Sequence, residues 1–173
     1  MDFFITATIR AFVAREHRLS FSSRRWRRTV AELNRRGRRR HEAGVFLLGT
    51  ERDGRKQVLD TVFYDDLDSQ AYESGVCILH GDSFARLWTI CREKGLTVVA
   101  DVHTHGGAAL QSTADKANPM VAHPGHIAII VPDFAHWPIE PTSLGIYEYR
   151  GNHEWFDRGA TKAPGYFYTG IWG

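Results

Sequence analysis

Apolar and polar positions along the chain recur with two different periods, which predicts a mixture of strands and helices. Alternation with a period of two predicts strands, and recurrence at three and four residues predicts helices. The predicted strands cover residues 3–13, 42–50, 56–64, 75–79, 96–105, 127–131, 144–149 and 153–156. A helix capped by Ser22 or Ser23 runs to about Asn34, a second covers residues 83–94, and a short third helix begins at Ser112.

The segments between these elements are classified by their composition. Asp53-Gly54 is a strong signal for a hairpin turn between two of the strands. Residues 65–73 are polar and predict a loop. The strand at 96–105 is apolar on both faces except near its end, which is typical of a central strand with a functional tip. Residues 159–173 are rich in glycine and aromatic residues and either dock on the core or bind something.

The length and composition are those of one compact core. The chain has 173 residues, of which 43% are hydrophobic, and two cysteines, too few for a disulfide framework. We expect one domain at residues 1–158, in which 1–40 hold a strand and an arginine-rich helix and 41–135 carry the functional motif, followed by the tail at 159–173. The first residues lack the basic segment of a signal peptide, and no run approaches the roughly 18 apolar residues of a membrane span. We therefore expect a cytoplasmic protein with no membrane partner.

The charge is distributed unevenly along the sequence. The net charge of +2 hides 12 arginines and three acidic residues in the first 40 positions, a formal charge of +9. Such a local positive field favours an acidic protein surface or nucleic acid. The alternative is a helix face that packs against the acidic remainder of the same chain, and the sequence leaves both open.

The candidate chemistry centres on the strand that ends with His103, Thr104 and His105. Side chains alternate along a strand, so the two histidines point the same way. Asp115 follows ten residues after His105, in the spacing H-T-H-x6-S-x-x-D. Two imidazoles and one carboxylate with an open fourth position describe a catalytic zinc site, so we expect His103, His105 and Asp115 to hold one Zn²⁺ per chain.

Two further residues have candidate catalytic roles. Glu42, which opens an apolar strand, is the candidate general base. Ser112 suits the N-cap of a helix that holds Asp115 at its third position, and its hydroxyl could also donate to an oxyanion.

Three neighbouring residues have alternative interpretations. Asp101 shares a strand face with His103 and either orients that histidine or faces solvent, the second being favoured. His123 and His126 flank a Pro-Gly turn and are the alternative ligand pair, although that turn makes their directions hard to align.

Taken together, these residues resemble the JAMM motif of the JAB/MPN family of zinc metalloproteases, which consists of a glutamate, H-x-H and S-x-x-D. The motif here is Glu42, His103-Thr104-His105 and Ser112-Thr113-Ala114-Asp115. The strand E-A-G-V-F-L-L-G at 42–49 is similar to the family's glutamate strand, and the resemblance covers about residues 40–135. Two departures lie in the loop: Gly106 replaces the usual proline, and nine residues rather than the usual ten separate His105 from Asp115.

The resemblance implies an α/β fold of the MPN/JAB (cytidine-deaminase-like) type, a mixed curved sheet flanked by helices. It implies a zinc isopeptidase or peptidase that cleaves after the C-terminal glycine of a ubiquitin-like modifier. The chain looks most like the prokaryotic branch, whose members often accompany E1-like and E2-like proteins in bacterial conjugation and antiphage systems. The arginine-rich helix, with Arg24, Arg25, Arg27 and Arg28, is then the candidate dock for an acidic face of the modifier or of an E2-like partner.

Two other functions compete with this interpretation. A non-catalytic MPN-type scaffold would lack metal ligands, and this sequence lacks none of them. A nucleic-acid-binding protein would use the arginine-rich helix, and its binding would depend on salt.

Overall fold

The computed structural model describes residues 17–171, and their eight strands form one curled sheet. Strand order is β7-β6-β5-β4-β2-β3-β1-β8. Three neighbouring pairs, β4 with β5, β1 with β3 and β1 with β8, are parallel, and the others are antiparallel. The strands are β1 Leu19–Ser22, β2 Gly44–Arg52, β3 Arg55–Phe63, β4 Thr97–Thr104, β5 Ile127–Val131, β6 Gly145–Gly151, β7 Glu154–Asp157 and β8 Phe167–Gly170.

Helices flank the sheet, with α1 on one face and α2 and α3 on the other. They are α1 Ser23–Arg36, α2 Tyr64–Leu67, α3 Gly81–Lys94 and α4 Thr113–Ala117, with short 3₁₀ turns at Asp133–Ala135 and Pro141–Ser143. Strand β2 serves both faces, since Val45 and Leu47 pack on the α1 side while Phe46 and Leu48 pack on the α3 side. No helix within residues 17–171 is long and apolar enough to cross a membrane.

Most of the predicted elements are confirmed, among them the hairpin of β2 and β3, helix α3 and strand β5. The predicted strand at 75–79 is wrong. Its Ile78 N–H bonds to the Ala71 carbonyl, so the segment lies along the preceding turn and pairs with no strand. The loop predicted at 65–73 begins inside α2, a helix too short to show a period. The predicted strand at 3–13 lies outside the described residues.

The tail docks on the sheet, which is the first of the two alternatives, docking or binding, that the sequence left open for it. Strand β8 pairs with β1 along its whole length. The ring of Phe167 packs edge-on against Trp26 of α1 at a centroid distance of 5.1 Å. The Tyr166 hydroxyl donates to the buried carboxylate of Glu148 on β6 at 3.1 Å. The tail therefore joins one edge of the sheet to the base of α1.

Strand β2 requires a glycine where its register shifts against β3. The shift lies between Leu48 and Gly49. A β-carbon on Gly49 would overlap the backbone carbonyl of Gln57, an atom that cannot move without breaking the pairing. The glycine at the end of the glutamate strand is therefore a packing requirement of the sheet.

We expect Gly49→Ala to lower the free energy of unfolding by about 1–3 kcal/mol or more, because the added methyl group forces the two strands apart. Denaturant unfolding would measure the change. Gly81→Ala, at the first residue of α3 with open space around it, is the control and should leave the stability unchanged or slightly raised. Equal stability of the two variants would contradict the packing argument.

Candidate metal centre

The end of β4 presents the two histidines on one face and Thr104 on the other. The Nε2 atoms of His103 and His105 lie 3.1 Å apart. On the opposite side, the Thr104 hydroxyl accepts a hydrogen bond from the Ala43 N–H at 2.9 Å, and the Thr104 N–H donates to the Ala43 carbonyl at 2.9 Å. The middle residue of H-T-H therefore fixes the chain next to Glu42, a role that the sequence analysis missed.

Asp115 reaches the histidines from the first turn of α4. The Ser112 hydroxyl accepts from the Asp115 N–H at 3.1 Å, while the Ser112 N–H donates to Oδ2 of Asp115 at 2.6 Å. This reciprocal capping box holds the carboxylate in one orientation. Its Oδ1 lies 3.6 Å from His103 Nε2, and its Oδ2 lies 3.3 Å from His105 Nε2.

The spacing of these atoms fits a tetrahedral metal ion. Bonds of about 2.0–2.1 Å to a tetrahedral ion separate two ligand atoms by about 3.3–3.4 Å. The two imidazole nitrogens lie 3.1 Å apart, and the carboxylate of Asp115 lies 3.3 Å from His105 Nε2 through Oδ2 and 3.6 Å from His103 Nε2 through Oδ1. In the part of the chain that the structure describes, these three residues are the one group of histidine, cysteine and carboxylate side chains placed to hold a metal ion.

The electrostatics of the site favour a positive charge among the same atoms. Burial opposes the charged form of His103, but the carboxylates of Asp101 and Asp115 outweigh it and raise the pKa of His103 to about 10. Burial likewise opposes ionisation of Asp115, yet its proximity to both histidines holds its pKa well below the usual range. A divalent cation would supply the positive charge that the carboxylates attract.

Asp101 lies beneath the histidines and is not at the surface as favoured from the sequence. It is 2% exposed, because β4 is central and its face here is covered by α2. Its carboxylate accepts from the Tyr64 hydroxyl at 3.2 Å, contacts His126 Nε2 at 2.6 Å and lies 3.7 Å from His103 Nδ1. These contacts place it to orient His103, the other role considered for it.

The alternative ligand pair is excluded by the same contacts. The ring of His126 is buried with its Nε2 atom 2.6 Å from Asp101, and His123 is exposed. Neither histidine belongs to the group of possible ligands. The parallel pairing of β4 and β5, which sets Asp101 opposite Ala128, brings His126 to this position.

Glu42 faces the histidines from the residues that precede β2. Its Oε1 lies 3.9 Å from His105 Nε2, and its Oε2 accepts from the Cys77 N–H at 3.4 Å. Its own N–H donates to the Gly75 carbonyl at 3.1 Å. The segment 75–77, expected to be part of a strand, therefore serves to hold Glu42 beside the fourth position of the site.

A cleft of about 770 Å³ opens over these residues. Glu42, His105 and Ser112 line this cleft, and Ser112 is exposed to solvent. One wall is apolar and is formed by Val76, Ile78, Leu79, Phe84 and Met120. A chain segment can reach the metal position through this cleft.

Comparisons with known proteins agree with a metal-dependent enzyme. The chain is 27% identical over 126 residues to "Probable metalloprotease y4jG" of Sinorhizobium fredii, covering 72% of this chain and 77% of the relative. No protein-family model matches the chain.

One solved structure shares the fold. The solution structure of protein DSY2949 from Desulfitobacterium hafniense superposes with a TM-score of 0.57 at 15% identity, over 82% of this chain and 90% of that one. A protein of Salinibacter ruber reaches a TM-score of 0.49 at 22% identity, over 75% of this chain and 84% of that one, which is too low to bear on the fold.

We expect the purified protein to carry one metal ion per chain, because three ligand atoms converge at tetrahedral spacing. His103→Ala combined with His105→Ala should abolish metal retention after dialysis, measured by elemental analysis. His123→Ala, which changes an exposed histidine outside the group, is the matched control and should retain the metal. Equal metal content in the double variant and the wild type would contradict the assignment.

Proposed function

We propose that this protein is a zinc-dependent peptidase of the JAB/MPN type, with the cytidine-deaminase-like fold of that family. The observation that carries the proposal is the convergence of Glu42, His103, His105 and Asp115 around one position with an open side. The name of the Sinorhizobium relative supports protease activity, and the Desulfitobacterium structure supports the fold alone.

The protein residues divide the work of amide hydrolysis between them. Bound Zn²⁺ would act as a Lewis acid and bring the pKa of a water molecule to about 7. Glu42 is placed to accept the proton of that water and to return it to the departing amine, because its Oε1 faces the open side of the ligand group. The Cys77 N–H, bonded to the other carboxylate oxygen, keeps Glu42 from turning away.

Ser112 has a different role, which concerns the carbonyl oxygen of the amide that is attacked. Its hydroxyl oxygen accepts from the Asp115 N–H, which leaves its hydrogen free to donate. Since Ser112 borders the cleft, that hydrogen can stabilise the oxyanion that forms as the amide is attacked.

The substrate enters as an extended chain. The edge strands of the sheet are β7 and β8, and two and three strands respectively separate them from β4. The segment 76–79 borders the cleft, and its Leu79 N–H and Ile78 carbonyl make no hydrogen bond within residues 17–171. These groups can pair with the backbone of an extended tail, whose side chains would meet the apolar wall.

The substrate that we propose is a ubiquitin-like modifier whose C-terminal glycine precedes the cut. We propose that this glycine lies between Gly106-Gly107 and residues 76–79, which line the cleft, and that a side chain at its position would be disfavoured there. The biological setting that we propose is a bacterial conjugation or antiphage system with E1-like and E2-like partners.

We expect Glu42→Gln to retain metal and fold but to lower kcat by about 10²–10⁴, because glutamine cannot accept a proton. Single-turnover hydrolysis of a modifier fusion would measure the loss, with elemental analysis and unfolding curves on the same preparation. Ser112→Ala should cost less in kcat, since the metal shares the oxyanion charge. A Glu42→Gln enzyme within about threefold of the wild-type kcat would exclude the general-base role.

We expect cleavage of a folded modifier that ends in glycine, and a loss of about tenfold or more in kcat/KM when that glycine becomes alanine, because the cleft discriminates against one methyl group. Mass spectrometry of the products would locate the cut. Cleavage of unrelated unfolded peptides at the same rate would instead indicate a general peptidase.

A further inference from the structure

A second concave surface lies away from the metal centre, between α1 and the turn at Asp133–Ala135. This groove has a volume of about 670 Å³. Its floor is apolar and includes Val30 and Ala135. Its rim carries four arginines and an indole that is 63% exposed, namely Arg27, Arg35, Arg38, Arg39 and Trp137. We call it the arginine groove.

Three of the rim arginines have no polar partner among the described residues. Within residues 17–171, the side chains of Arg27, Arg38 and Arg39 make no ion pair or hydrogen bond. The acidic residue of α1, Glu32, is occupied by Arg35 at 2.6 Å and Arg36 at 2.8 Å. The groove therefore presents open guanidinium groups beside an apolar floor.

The backbone at Arg38 and Arg39 argues that these arginines serve binding. Their φ angles are 50° and 60°, in the left-handed region that glycine and asparagine adopt at lower cost. Both side chains are exposed and support no other element. Glycine or asparagine would form this turn at lower cost, whereas the two arginines place two positive charges at the groove.

We propose that the arginine groove binds an acidic peptide segment of a partner protein, anchored by one apolar side chain. Guanidinium groups pair with carboxylates through two parallel hydrogen bonds, and the floor can receive a side chain between them. Single-stranded nucleic acid is usually bound along several stacking rings, and the rim offers one. The inference concerns binding and stands whether or not the protein is a peptidase.

The structure moves the docking surface from where the sequence placed it. Of the four helix arginines expected to dock a partner, Arg27 lines the groove, while Arg25 donates to the Leu59 carbonyl. The groove is also connected through Phe134 to the backbone of His105, one of the candidate metal ligands. Asn34 on its wall donates to the Phe134 carbonyl at 2.7 Å, and the Phe134 N–H donates to the His105 carbonyl at 2.7 Å.

Fluorescence anisotropy with the full-length protein tests the proposal. The probe is a labelled twelve-residue peptide of glutamate and aspartate with a central Leu-Phe pair, and a second probe replaces that pair with glycines. The groove variant combines Arg27→Glu, Arg38→Glu and Arg39→Glu. Its matched control combines Arg24→Glu, Arg28→Glu and Arg40→Glu, which changes the same net charge at exposed positions outside the groove.

We expect the groove variant to weaken binding of the first probe about tenfold or more and the control about threefold or less. Trp137→Ala and the glycine probe should each weaken it measurably, since both remove apolar contact. Metal content should be unchanged in every variant, so that failure here is separate from failure of the peptidase proposal.

Four outcomes would overturn the proposal. One is no binding of either peptide at low salt, and another is equal weakening by the two triple variants, which would mean diffuse charge attraction. A third is tighter binding of a single-stranded oligonucleotide of the same charge, lost in the groove variant. The fourth is a change of mass in sedimentation on mutation of the groove, which would make its occupant a second copy of this chain.

Discussion

The buried carboxylate of Asp101 is the interaction on which the arrangement of the site depends. An ionised carboxylate that is 2% exposed is costly unless hydrogen bonds and opposite charge replace its water. Burial opposes ionisation of Asp101, but the neighbouring His103 and His126 outweigh it and lower the pKa of Asp101 to about 2. Tyr64 at the start of α2 and His126 at the start of β5 supply contacts from two other elements. Contacts from α2 and from the residue before β5 thus fix the carboxylate that lies 3.7 Å from His103 Nδ1.

A second constraint acts on the loop after the histidines, where this chain departs from the JAB/MPN pattern. The ring of Phe134 occupies the space that a β-carbon on Gly106 would need, so a proline there is incompatible with this packing. Asp133, Phe134 and Ala135 all have φ between 50° and 58°, a strained sequence of left-handed residues. Hydrogen bonds from the N–H groups of Asp133 and Phe134 to the carbonyls of Gly107 and His105 offset that strain. These two hydrogen bonds attach the shorter loop to the turn at Asp133–Ala135, and Asp115 still lies beside the histidines.

The sequence could predict what depends on local period and spacing. Strands β2 to β6 and helices α1 and α3 follow from their apolar patterns, and the proximity of His103, His105 and Asp115 follows from strand alternation and an N-cap. It could not predict the burial of Asp101, because the partners that make burial tolerable lie 25 and 37 residues away. It likewise misassigned residues 75–79, since an extended segment that lines a cleft alternates in the same way as a strand in a sheet. In both cases the decisive contacts are tertiary.

The arginines of α1 and of the turn that follows it form two groups in the structure. Arg36 turns inward: it binds Glu32, Asp65 at 2.6 Å and Asp66 at 2.7 Å, and its guanidinium stacks on Phe63. This cluster attaches α1 to the acidic start of α2, as expected for a helix that packs on its own chain. On the groove side, Arg35 pairs with Glu32, whereas Arg27, Arg38 and Arg39 have no acidic neighbour within the described residues. Because unpaired like charges repel one another along a helix and its C-terminal turn, their concentration there is a cost that the fold itself does not require, which is why we assign them to a partner.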